Sequence, residues 1–140
     1  MGWFSRLLGK GEGANTGTPL IRTDFSDDAA WEGLLKAANT PSPDGFLANL
    51  NVINERRFDG AEQIEKFALA TVDAVLFVAD QMTITHADRP ILCIDAFAPD
   101  RLFRVVPSEL WSVENNLSLA NMDFEEFANA AGPDGIFRGF

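Results

Sequence analysis

Three aspartates stand where a metal could be held. Asp24 and Asp80 each close an apolar, strand-like run, LIRTDF and AVLFVAD, and Asp28 follows Asp24 by four residues. In open α/β sheets, ligands bind beyond the carboxyl ends of parallel strands. Asp24, Asp28 and Asp80 are therefore candidate oxygen ligands for Mg²⁺, a hard cation. They also have a plain structural use. Asp24 and Asp80 can accept from loop amides, and Asp28 suits the positive end of a helix. No P-loop and no glycine fingerprint accompanies them.

Other chemistry is sparse. His86 is the sole histidine and sits in a polar stretch, THADRP, where a solvated side chain is expected. Cys93 is the sole cysteine and lies within ILCI, so it reads as a buried, reduced thiol without an activating neighbour. There is no G-x-S-x-G and no cysteine–histidine spacing suited to zinc. Arg22 and Arg104 fall inside strand-like runs and are expected to pair with carboxylates, with Asp95 and Glu109 as mates. The alternative use for them is to grip an anionic ligand.

The densest polar information lies in residues 103–127, FRVVPSELWSVENNLSLANMDFEEF. From Ser108 to Asp134 there are six acidic residues and no lysine or arginine. Glu109, Trp111, Glu114, Asn115, Asn116 and Asn121 form a candidate protein-binding set. Tryptophan is enriched at binding hot spots, and carboxylates steer a basic partner. Trp111 lies one step off the apolar stripe Leu110, Val113, Leu117, so partial burial is expected. The competing use is a rigid, hydrogen-bonded joint, since asparagine caps helices and tolerates left-handed backbone.

Local patterning supplies the elements that must position these residues. LIRTDF (20–25) reads as a strand, and Ser26 as an N-cap before a helix with Trp31, Leu34, Leu35 and Ala38 on its inner face. Residues 46–53 read as a second strand. Ile64, Phe67, Ala68 and Thr71 give a second helix, entered with capping spacing at Asp59 and Glu62. The run AVLFVA (74–79) reads as a central strand. This alternation predicts βαβ units and a parallel sheet. Residues 91–97 and 102–106 are joined by four residues, which predicts a hairpin. A short helix after Pro107 and a last one entered at Asp123 and Glu126 complete the pattern. The expected fold is α/β, a single domain at 19–140 with a mixed five-stranded sheet: three parallel strands plus an antiparallel hairpin. The terminal IFRGF is expected to dock back through Phe137 and Phe140.

The N-terminal 1–18 reads as a tail and linker. MGWFSRLL gathers Trp3, Phe4, Leu7 and Leu8 on one helical face, but it is short for a membrane anchor. The myristoylation pattern wants serine or threonine where Arg6 stands. GKGEGANTGT has a flexible linker's composition. No secretory signal is expected. Arg6, Lys10 and Glu12 give the first 18 residues a charge of +1 within a total of −10, so the remainder carries −11. That balance disfavours nucleic acid, whose phosphates need lysine and arginine. It suits solubility or a basic protein partner. The single cysteine and the lack of a long apolar run point to the cytoplasm.

LIRTDFSDDAAW (20–31), FVAD (77–80), FRVVPSELWSVENNLSLANMDFEEFA and the terminal DGIFRGF resemble an uncharacterised bacterial family, common in actinobacteria, of small acidic proteins carrying a domain of unknown function. The resemblance covers about 19–140 and implies no activity. Three functions stand as expectations. The first is a non-enzymatic binding protein that needs no cofactor, of the immunity or antidote type, acting on a basic toxin domain. The second is a Mg²⁺-dependent enzyme using the acidic cluster. The third is a membrane-tethered adaptor using Trp3 and Phe4.

Overall fold

The computed structural model describes residues 17–61 and 73–140. The order along the chain is β1 (Thr18–Arg22), α1 (Asp28–Ala38), β2 (Leu50–Ile53), β3 (Val75–Ala79), α2 (Gln81–Thr85), β4 (Ile91–Asp95), β5 (Leu102–Val105), α3 (Leu110–Ser118), α4 (Phe124–Ala130) and β6 (Ile136–Phe137). Single 3₁₀ turns lie at Arg56–Phe58 and Pro107–Glu109. The tail at 1–16 and the helix expected around Ile64 to Thr71 lie outside the described residues.

Among the described residues the strands form one mixed sheet in the order β2-β1-β3-β4-β5-β6. β1 runs parallel to β2 and to β3, while β3–β4 and β4–β5 are antiparallel. The expected parallel trio and hairpin are therefore present. The count of five strands is corrected to six, because the terminal IFRGF docks by strand pairing. Ile136 pairs with Arg104 and Phe137 with Val105, in parallel. Two residues carry no readable alternation. Their register comes from Phe137, which meets the ring of Phe127 edge-on at 5.1 Å.

Strand alternation divides the core between the two faces of the sheet. Leu20, Val75, Phe77, Ala79, Cys93, Phe103 and Val105 belong to the larger cluster with Trp31, Leu34, Ile84, Val113 and Phe127, drawn from all four described helices. Ile21, Leu76, Val78 and Ile94 point the other way and pack with Ile53 and Phe58.

Helix entries differ in detail from the expected ones. Asp27, not Ser26, caps α1, its carboxylate accepting from Ala30 N–H at 3.0 Å. Helix α2, QMTIT, is too short for its sequence to announce it. It forms because Asp80 Oδ1 accepts from Thr83 N–H and Thr83 Oγ1 accepts from Asp80 N–H, both at 3.2 Å. At α4, Glu126 accepts from Asp123 N–H at 2.8 Å, as its spacing predicts.

The folded unit also begins earlier than position 19. Thr18 is the first residue of β1, and Gly17 lies so close to β2 that a Cβ there would sit 2.6 Å from the Leu50 carbonyl carbon. The glycine that reads as linker is thus needed for close backbone approach. Among the described residues no helix is long and apolar enough to cross a membrane.

Candidate functional site

The three metal candidates each find protein donors. Asp24 Oδ1 accepts from the backbone N–H and the hydroxyl of Ser26. Asp28 Oδ1 takes the Arg22 guanidinium at 2.7 Å. Asp80 makes a two-point contact with Arg104, at 2.9 and 2.8 Å. Among the described residues no group of three or more His, Cys, Asp or Glu side chains is arranged to hold a metal ion.

Both strand arginines form ion pairs, but not with Asp95 and Glu109. Arg22 ends β1 beneath the first turn of α1, so Asp28 is the carboxylate within reach. Its guanidinium lies 4.3 Å from the Phe25 ring centre and 5.2 Å from that of Trp31. Arg104 reaches from β5 to Asp80 beyond the end of β3, bonding the Pro90 carbonyl at 3.1 Å as well. Burial disfavours the Asp80 charge. The Arg104 hydrogen bonds and charge, with the Thr83 donors, outweigh it and hold the carboxyl below its usual range. His86 Nδ1 accepts from Asp88 N–H at 3.0 Å.

Within residues 103–127 the structure divides the predicted set. Glu114 is only 3% exposed and cannot face a partner. Its carboxylate accepts from Thr18 Oγ1 at 3.0 Å, Ser118 Oγ at 2.7 Å, Asn49 N–H at 2.7 Å and Asn115 Nδ2 at 2.9 Å. The Asn115 amide also donates to the Leu47 carbonyl. Asn116 donates to Ser112 O, and its own carbonyl accepts from the N–H groups of Asn121 and Met122. Glu114 and Asn115 therefore tie α3 to β1 and the 46–49 loop, and Asn116 closes the end of α3; of the three, Glu114 is the buried one, while Asn115 and Asn116 are half-buried. The signal was present in the sequence. Glu114 stands four residues after Leu110 and three before Leu117, on the buried stripe itself. The left-handed residue closing α3 is Ala120 (φ 56), not one of the asparagines.

Trp111, Glu109 and Asn121 remain at the surface. Trp111 is half-buried, as its offset from the stripe predicts. Its ring stacks on Phe46 with centres 5.4 Å apart and planes 13° from parallel. Phe46 is itself 50% exposed, and Leu47 beside it is also exposed. Phe46 and Leu47 lie in the loop before β2, which starts at Leu50 and not at position 46 as the apolar pattern suggests. Their position just after the Pro-Ser-Pro-Asp-Gly turn was the available sign of a loop. Glu109 is half-buried, and burial raises its carboxyl above the usual range. At the other end of α3 lies a cavity of about 350 Å³, lined among others by Asp95, Phe97, Arg101, Met122, Asp123 and Glu125.

The molecule is thus a small mixed α/β domain tied together by a buried carboxylate, with an aromatic pair and an acidic cavity at opposite ends of one helix. The chain belongs to the family described as domain of unknown function DUF6924, whose family model matches residues 17–140. That match begins at Gly17, the first described residue. Comparison with curated proteins finds no match.

Proposed function

We propose that the protein is a non-enzymatic, acidic binding protein that engages a basic protein partner through the surface around Trp111, in the manner of an antidote to a toxin domain. The observation that carries this is the half-exposed Phe46–Trp111 stack. A solvent-facing aromatic pair, held rigid by packing, binds at little cost in side-chain entropy, and tryptophan is the commonest hot-spot residue. The charge of −10 adds attraction for a basic partner and repels acidic ones. No cofactor is required. The buried free thiol of Cys93 fits a reducing cytoplasm.

The test is affinity capture from the source cells, with the protein and its Trp111→Ala and Phe46→Ala variants as parallel baits. Calorimetry on each purified basic protein retained then follows. A basic protein held by the native chain and released by both variants is the expected result. Capture of only those proteins that both variants hold equally well overturns the assignment.

A further inference from the structure

We propose that the surface around Phe46, Leu47 and Trp111 is a docking site for this chain's own N-terminal segment, residues 1–8, which a basic partner must displace. The contact stands independently of the function proposed above; its displacement by a partner rests on that reading. Strands β1 and β2 run parallel, with Thr18 opposite Leu50. The residues that precede each strand therefore lie at the same end of the sheet, and those preceding β2 are the 46–49 loop. Thr18 N–H donates to Asn49 O at 2.9 Å, and Gly17 is packed against Asn49 and Leu50. Asn115 holds the Leu47 carbonyl, and Trp111, one helical turn earlier, stacks on Phe46. The first sixteen residues thus join the domain beside its exposed aromatic pair. Phe46 is three positions from Asn49, so their Cα atoms are at most about 11 Å apart. Residues 9–16, GKGEGANT, form the tether, and eight residues of such composition span about 14–17 Å on average. A tether whose length matches the distance gives a high effective concentration, about millimolar.

The segment and the surface are complementary. MGWFSRLL places Trp3, Phe4, Leu7 and Leu8 at the spacing of one helical face. Eight residues are too few to form a stable helix alone in water, and on the domain this stripe gains the apolar partner it lacks. Phe46 and Leu47 are exposed and Trp111 half-buried, so they offer aromatic and aliphatic surface of the same kind. Charge agrees. The stripe is flanked by Arg6 and Lys10, while Asp44 stands exposed two positions before Phe46 and Glu109 half-buried two positions before Trp111. The first 18 residues carry +1 and the remainder −11. A lipid surface is the other apolar environment that could take the stripe. It is disfavoured, because anionic headgroups repel so acidic a domain. One short segment without a second lipid signal is also a weak anchor.

The experiment uses the full chain with nitrogen-labelled tryptophan, whose indole N–H resonances report Trp3, Trp31 and Trp111 separately. The double variant Trp3→Ala, Phe4→Ala should shift the Trp111 resonance and leave that of the buried Trp31 in place. Phe46→Ala, at an exposed position, should in turn shift the Trp3 resonance. A nitroxide attached at Ser5→Cys should broaden the Trp111 resonance, and the broadening should survive an excess of unlabelled native chain. Native chain treated with the same reagent controls for the buried Cys93. A Trp111 resonance indifferent to the double variant, or no broadening, overturns the assignment. Broadening that disappears in the excess of native chain overturns it in favour of a second copy. A Trp3 resonance that moves only with phosphatidylserine vesicles overturns it in favour of a membrane. The double variant should bind a captured basic partner about tenfold tighter, since self-occupation leaves only a fraction of the surface free. Unchanged affinity overturns the displacement. If the segment docks but no basic protein is captured, the contact stands and the proposed function falls. If a captured partner depends on Trp111 while the segment does not dock, this inference alone falls.

Discussion

The carboxylate of Glu114, midway along α3, accepts a hydrogen bond from Thr18 Oγ1 at the head of β1, 3.0 Å away and 96 residues earlier in the chain. With the bonds to Asn49, Asn115 and Ser118, this ties α3 to the first strand and to the 46–49 loop. Glu114→Ala would remove the acceptor of the buried Thr18 hydroxyl and, nearer the surface, of Asn49 N–H and the Ser118 hydroxyl. The expected loss is about 2–4 kcal/mol, since charged hydrogen bonds contribute about 1.5–3 kcal/mol and orphaned donors add to the cost. Thermal unfolding should fall by about 10 °C. A fall of under about 3 °C would show that the joint is dispensable.

Trp111 and Trp31 should separate on stability. Trp31 is 1% exposed, and its truncation to alanine is expected to cost about 3–5 kcal/mol. Trp111 is half-buried against a half-exposed Phe46, so Trp111→Ala should cost less than about 2 kcal/mol of stability by the same area argument. Its cost to partner binding should be about 2 kcal/mol or more. Urea unfolding of the two variants side by side decides the first point. Equal losses would make Trp111 a core residue.

Asp80 sets part of the acid limit. Its folded pKa lies below the unfolded value of about 3.9. The stability it contributes is therefore fully present above that value and lost as pH falls through the folded pKa. Asp80→Asn should lower stability by about 2 kcal/mol at pH 7, because the partly buried Arg104 loses its anion. The gap between wild type and variant should close below about pH 4. A gap unchanged at pH 2.5 would rule out ionised Asp80 as its source.

Cys93 is fully buried in β4, and burial pushes its thiol well above the ordinary range although the Arg104 charge opposes this. The native protein should not react with a disulfide reagent on the timescale of mixing, and should release one thiol equivalent after denaturation. Rapid native reaction would indicate that β4 opens readily.

Ala120 holds a left-handed φ of 56° at the end of α3. Glycine accepts that geometry without a Cβ clash, so Ala120→Gly should raise stability by about 1 kcal/mol. Chemical denaturation is the check, and a loss of stability would mean that the alanine methyl packs usefully there.

Much of the fold is legible in local pattern. The continuous apolar run of β3 and the stripe of Trp31, Leu34 and Ala38 identify elements, because a strand covered on both faces is apolar throughout and burial of one helix face imposes a period of 3.6. The four-residue link at 98–101 predicts the β4–β5 hairpin for the same local reason. The terminal β6 and the helix after Asp80 were not legible. Two residues, and a five-residue helix with only Met82 and Ile84 apolar, are too short to carry a period, and both elements depend on partners supplied elsewhere. The site divides in the same way. The offset of Trp111 from its stripe foretells its half-exposure, yet its stacking partner Phe46 lies 65 positions away and no spacing links them. Nor does composition tell a surface carboxylate such as Glu125 from a buried one such as Glu114. That distinction, and the choice of Asp28 and Asp80 as mates for Arg22 and Arg104, is made only when the sheet brings distant donors within hydrogen-bond reach. A carboxylate's environment, unlike helix or strand period, is a property of what packs against it.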